Sequence, residues 1–73
     1  MKYGTAIIAL RKQRNISQKT LADKLNIFPQ QLGDYENDKV SITANFINNL
    51  CKICNISEGD FFNLVRDLEK YKI

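Results

Sequence analysis

The chain has 73 residues, 44% of them hydrophobic, and a formal net charge of +3. That length supports one small core with no room for a closed active site beside it, and the hydrophobic content excludes a disordered chain. No apolar run approaches the roughly 20 residues of a membrane span, and the N-terminus lacks a small-residue cleavage site, so a cytoplasmic protein without a membrane partner is expected.

The pattern predicts five helices and no strand. The first runs roughly from Thr5 to Arg14, anchored by Ile7, Ile8 and Leu10. Ser17 is placed to N-cap the second, because its hydroxyl can accept the orphan amide protons of an opening turn. Leu21, Ala22 and Leu25 then share one face, and Asn26 breaks the pattern. The third opens at Pro29, where a missing N–H and a fixed φ cost nothing. Phe28, Leu32 and Tyr35 form its expected core side. With small Ala22 where the two helices approach, this pair has the helix-turn-helix layout, whose second helix usually lies in the major groove of DNA. Thr43 can cap a fourth helix, reaching about Cys54, with Phe46, Ile47, Leu50 and Cys54 inward. Ser57 can cap a fifth, from about Glu58 to Lys70, with Phe61, Leu64, Val65 and Leu68 as its inner stripe. Tyr71 and Phe62 widen that stripe to about half the circumference. The short connections predict an all-α five-helix bundle, one domain over residues 1–73.

Charge is unevenly placed. Residues 1–40 carry seven cations and four anions, whereas residues 41–73 carry four of each. The basic excess therefore accompanies the helix-turn-helix, as phosphate binding requires. Taken alone, mild basicity serves solubility equally well.

Four segments, in order, carry a family resemblance: LRKQRNIS, SQKTLADKL, Tyr35-Glu36-Asn37 and Cys54-Asn55-Ile56-Ser57. From about Ile7 to Phe61 the chain resembles a lambda-repressor-like helix-turn-helix domain of the Xre family of phage and bacterial regulators. Phage Cro-like repressors and restriction–modification controller proteins fit equally, and the ending EGDFFNLVRDLEKYKI is similar to the C-terminal helix of the latter. Where the family commonly has glycine, at four helix junctions, this chain has Asn15, Asn26, Asp38 and Asn55. These residue types best tolerate a left-handed backbone, so the substitution preserves the junctions. Phe28 replaces a usual small polar cap, and Gly33 sits mid-helix at a cost of about 1 kcal/mol relative to Ala.

At about 100° per residue, the outer face of the third helix holds Gln30, Gly33, Asp34 and Asn37, with Gln31 on the flank. A glutamine can bond adenine at N6 and N7 together, which makes Gln30 the first candidate base reader. The resemblance implies further base contacts at Pro29 and Asp34, with Gln31 helping. Pro29 offers only apolar contact, for example to a thymine methyl. For phosphates, Gln18 opens the second helix, where free amides and the helix dipole favour an anion, and the resemblance implies the same contact. Asn37 and Lys39 lie where the family clamps the DNA backbone. Lys12, Arg14 and Lys19 are further candidates, equally readable as solubilising charges. The resemblance assigns Arg11 and Glu36 to a structural ion pair, where bidentate geometry would tie the reading helix to the scaffold.

Cys51 and Cys54 form a CxxC, but the chain has no His and no other Cys. Two ligands cannot complete a tetrahedral zinc site within one chain, and a thioredoxin-type motif belongs beside a βαβ pattern. Small buried hydrophobes are the expected account, with a redox pair or a metal site shared across a dimer as alternatives. Neither a cofactor nor a metal nor a small-molecule ligand is expected, and no catalytic group stands out. A homodimer seam is expected on the fifth helix at Phe62, Val65 and Leu68. The combined expectation is a homodimeric, double-stranded-DNA-binding transcriptional regulator on a pseudo-palindromic operator, not an enzyme. The alternative is an antitoxin-like or adaptor module that uses the same fold to bind protein.

Overall fold

The computed structural model describes residues 3–70. It contains α1 (Gly4–Gln13), α2 (Gln18–Leu25), α3 (Pro29–Glu36), α4 (Ala44–Cys54) and α5 (Glu58–Lys70), with no strand among the described residues. None of these helices is long and apolar enough to cross a membrane. Tyr71, expected on the apolar arc of α5, lies outside the described residues.

Helix starts follow the local chemistry. The Ser17 hydroxyl accepts from the Thr20 amide at 3.1 Å, Thr43 from the Phe46 amide at 3.1 Å, and Ser57 from the Asp60 amide at 3.0 Å. Each satisfies a donor that the first turn leaves without a partner. Helix α1 is capped differently. Tyr3 makes no side-chain cap, and Asp38 reaches across the chain instead, accepting from the Tyr3 and Gly4 amides at 3.2 and 2.9 Å. Gly4 is required for that approach, because a Cβ there would lie 2.1 Å from the Glu36 carbonyl oxygen.

Helix ends share one device. Asn15, Asn26, Asp38 and Asn55 adopt φ of 55°, 60°, 58° and 57°. After each, the next amide closes back over the turn: Ile16 to the Arg11 carbonyl, Ile27 to Ala22, Lys39 to Asp34 and Ile56 to Cys51, all at 2.9–3.0 Å. This is the Schellman arrangement, in which a left-handed residue is followed by an apolar one folded under the helix. Three of the four followers are isoleucines packed against the core. The fourth, after α3, is exposed Lys39.

The helices close around Ile7, Leu10, Leu21, Leu32, Leu50, Phe61 and Val65, with Ala6 and Ala22 at close approaches. Tyr35 stacks on Phe46 with ring centroids 4.1 Å apart, joining α3 to α4. Two expectations change. Phe28 is not a core residue: it is 75% exposed, and Ile27 packs on the core in its place. Phe28 precedes the helix with extended backbone, φ −77° and ψ 148°, so helical spacing does not govern where it points. Val65 is 1% exposed and fills the protomer's own core, so it cannot contribute surface to a seam.

The left-handed junctions yield a test. Asn55→Gly should leave stability nearly unchanged, whereas Asn55→Ala should cost about 1–2 kcal/mol. For a domain of this size the alanine variant should melt roughly 4–16 °C lower, measured by circular dichroism.

Candidate nucleic-acid interface

The last turn of α3 carries the main polar junction of the protein. Glu36 is only 6% exposed, and both its carboxylate oxygens are engaged. Oε2 accepts from Arg11 Nε of α1 at 2.9 Å, and Oε1 accepts from Gln18 Nε2 of α2 at 2.8 Å. The Arg11–Glu36 pair expected from the resemblance is thus present, but as a single bond; the second oxygen holds Gln18. Arg11 also donates Nη1 to the Ile16 carbonyl at 3.3 Å, pinning the α1–α2 turn. A buried carboxylate is costly unless paired and hydrogen-bonded. Saturating it from two other helices therefore locks α1, α2 and α3 at one point.

The position of the outer face of α3 follows from that lock. Gln30 is exposed, and its side chain makes no hydrogen bond among the described residues. Asp34 is half-buried beside it. Gln31 has a structural duty: its Oε1 accepts the Phe28 amide at 2.9 Å, satisfying one donor of the opening turn that Phe28 cannot help to cap. Asn37 folds back through Nδ2 onto the Gly33 carbonyl at 2.9 Å, closing the C-terminal turn. Gly33 lies beside Gln18, and a Cβ on Gly33 would sit 3.5 Å from Gln18 Nε2, an ordinary contact. Nothing within the protomer requires a glycine there.

The phosphate candidates divide. Lys12, Lys19 and Lys39 are exposed. Gln18 spends one amide hydrogen on Glu36, which leaves its second hydrogen and the free backbone amides of the opening turn of α2 for an anion. Arg14 is drawn to the scaffold: its Nε donates to the Cys54 carbonyl at 2.9 Å, across the C-terminus of α4. A cation there also complements the helix dipole. Phe28, assigned to the core on spacing, instead stands exposed beside Pro29 and Gln30. The sequence signal for it was a non-polar residue before Pro29 with Gln31 three positions on, half of a capping box.

Cys51 and Cys54 are free thiols buried in α4. Burial pushes the Cys51 thiol above its ordinary range, with Glu58 and then Cys54 adding to the effect. Burial likewise raises Cys54, partly offset by Arg14. Both stay protonated and packed at neutral pH, consistent with small hydrophobes.

The chain belongs to the helix-turn-helix family, whose model matches residues 7–61. It is of the Xre type, a class of DNA-binding transcriptional regulators, with the five-helix, lambda-repressor-like architecture. Two structures of the clp gene regulator ClgR from Corynebacterium glutamicum share the fold. One has a TM-score of 0.88 at 15% identity, covering 97% of this chain and 92% of that one. The other has a TM-score of 0.85 at 17% identity, covering 90% and 70%. A tyrosine-to-alanine mutant of the restriction–modification controller protein C.Esp1396I has a TM-score of 0.82 at 22% identity, covering 97% and 94%. Among curated proteins, none matches by sequence.

Gly33→Ala separates the scaffold from the interface. It should stabilise the fold by about 1 kcal/mol, because the added methyl makes only an ordinary contact with Gln18 and improves helix propensity. If the duplex packs closely on α3, the same variant should bind DNA more weakly than the wild type while melting higher, measured by parallel melting and binding titrations.

Proposed function

We propose that the protein is a homodimeric transcriptional regulator that reads a pseudo-palindromic operator with α3. The observation that carries this reading is the combination of a rigid mount and an unoccupied edge. Glu36 fixes α3 to two other helices, while Gln30 at the opposite end serves no scaffold bond. In this reading Gln30 bonds a base edge, with Pro29 and Asp34 alongside and Gln31 setting the start of the helix. The opening amides of α2 at Gln18, together with Lys19, Asn37, Lys39 and Lys12, take phosphates. Lys39 is supported by its place: it occupies the one left-handed junction whose follower is not drawn into the core.

Base reading and phosphate binding leave different signatures. Gln30→Ala should cost about 1–3 kcal/mol on the best duplex selected from a random pool, and much less on random DNA. Lys39→Ala should weaken both alike and reduce the salt slope of log Kd by about 1. Equal losses on both duplexes for Gln30→Ala would make it a positioning residue.

The dimer seam rests on Phe62 with Leu68. Phe62 is 37% exposed and sits edge-on to Tyr3 and Phe61, so its ring is held at the surface. Two recognition helices in successive major grooves need half-sites about 34 Å apart. Phe62→Asp should give folded monomers that bind a single half-site weakly, read by sedimentation and by binding to full and half operators. A wild type that is monomeric at micromolar concentration and selects a non-symmetric site would favour an adaptor role instead.

A further inference from the structure

We infer that Phe28 is a base-reading residue, its ring packing on the C5-methyl of a thymine at the edge of the sequence read by Gln30; this rests on the DNA-binding reading of α3. Three large apolar side chains are exposed among the described residues: Phe28 at 75%, Val40 at 45% and Phe62 at 37%. Phe62 leans on two other rings, whereas Phe28 is the most exposed and has no ring partner among the described residues. Its exposure is not a local accident of packing, because Ile27 already takes the core position beside it.

The backbone that carries the ring is held in place. Phe28 has extended backbone and precedes Pro29, which restricts its own φ and ψ. Its amide is bonded to Gln31 Oε1 at 2.9 Å. A large ring presented by a fixed backbone, one residue before the helix start, carries little ordering cost on binding. A small polar residue would accept from the next amides of α3; this chain keeps only the reciprocal bond, Gln31 on the Phe28 amide, and places an apolar group at the tip.

The surroundings select the chemistry of the occupant. Asp23 lines the same cleft as Phe28, Pro29, Ile27, Asn26 and Gln31. An anion lining that cleft disfavours a phosphate there and leaves a neutral apolar group as the fitting partner. In the major groove that group is the thymine C5-methyl, which apolar side chains contact.

The test is a two-way exchange on the full-length protein. In a duplex selected from a random pool, each thymine is replaced in turn by deoxyuridine, which removes only the methyl. At one position per half-site, the wild type should lose about fourfold in affinity, the worth of one buried methyl-sized group. Phe28→Ser, which removes the ring from both half-sites of the dimer, should lose about sixteenfold on the thymine duplex, the square of that factor, and show no further loss with deoxyuridine. Gln30→Ala should keep the deoxyuridine sensitivity. Phe28→Ser should fold at least as stably as the wild type, since serine is a favoured N-cap, so its loss of affinity is not unfolding. A wild type indifferent to every replacement, or a Phe28→Ser variant as sensitive as the wild type, would overturn the inference. Loss of self-association in that variant would then assign the ring to a protein contact. Failure of the DNA reading itself would show separately, as equal wild-type binding to selected and random duplexes.

Discussion

One buried carboxylate organises this protein. Glu36 ends α3, and its charge is compensated by Arg11 from α1 and hydrogen-bonded by Gln18 from α2. Rotating or sliding α3 would orphan that charge in a low-dielectric interior, at a cost of several kcal/mol. Two neighbouring features point the same way. Gly4 lets the start of α1 touch the Glu36 carbonyl, and Asp38, just beyond α3, caps α1. The C-terminal end of α3 is therefore tied to both preceding helices, through side chain and backbone.

That arrangement sorts the polar residues into two groups. Arg11, Arg14, Gln31 and Asn37 each spend hydrogen-bonding capacity on the protein itself. Among the described residues Gln30, Lys12, Lys19 and Lys39 do not; Lys19 and Gln30 lie in the opening turns of α2 and α3, Lys12 in the last turn of α1, and Lys39 in the turn after α3. A binding surface made from the second group costs the fold nothing when a ligand takes it. The first group supplies rigidity, which the proposed function uses to let a side chain discriminate between bases, since specificity depends on donors and acceptors being placed before contact.

Much of this was legible in the sequence, because much of it is local chemistry. Ser17, Thr43 and Ser57 cap where their hydroxyls fall three residues before an amide in the first turn. Asn15, Asn26, Asp38 and Asn55 mark left-handed junctions because few other residues tolerate that backbone. What escaped was of two kinds. Phe28 was placed inward by extending helical phase past the helix start, where the backbone is extended and the phase no longer applies; the follower position of the preceding junction made Ile27 the core residue instead. Arg14 on Cys54, Asp38 on Gly4 and Gln18 on Glu36 join residues 40, 34 and 18 positions apart, and no local pattern encodes which partner a long polar side chain finds. Family likeness supplied Arg11 with Glu36, but not that Glu36 divides its oxygens between two helices.

In the proposed function, one edge of α3, immobilised by Glu36, is where a duplex docks. Titrating isotope-labelled protein with a selected duplex and following backbone amide resonances tests it directly. The account predicts the largest shifts in the opening turn of α2, across residues 28–34 and around Lys39, with α5 little changed at constant oligomeric state. Shifts concentrated on α5 around Phe62, with residues 28–34 unmoved, would contradict it.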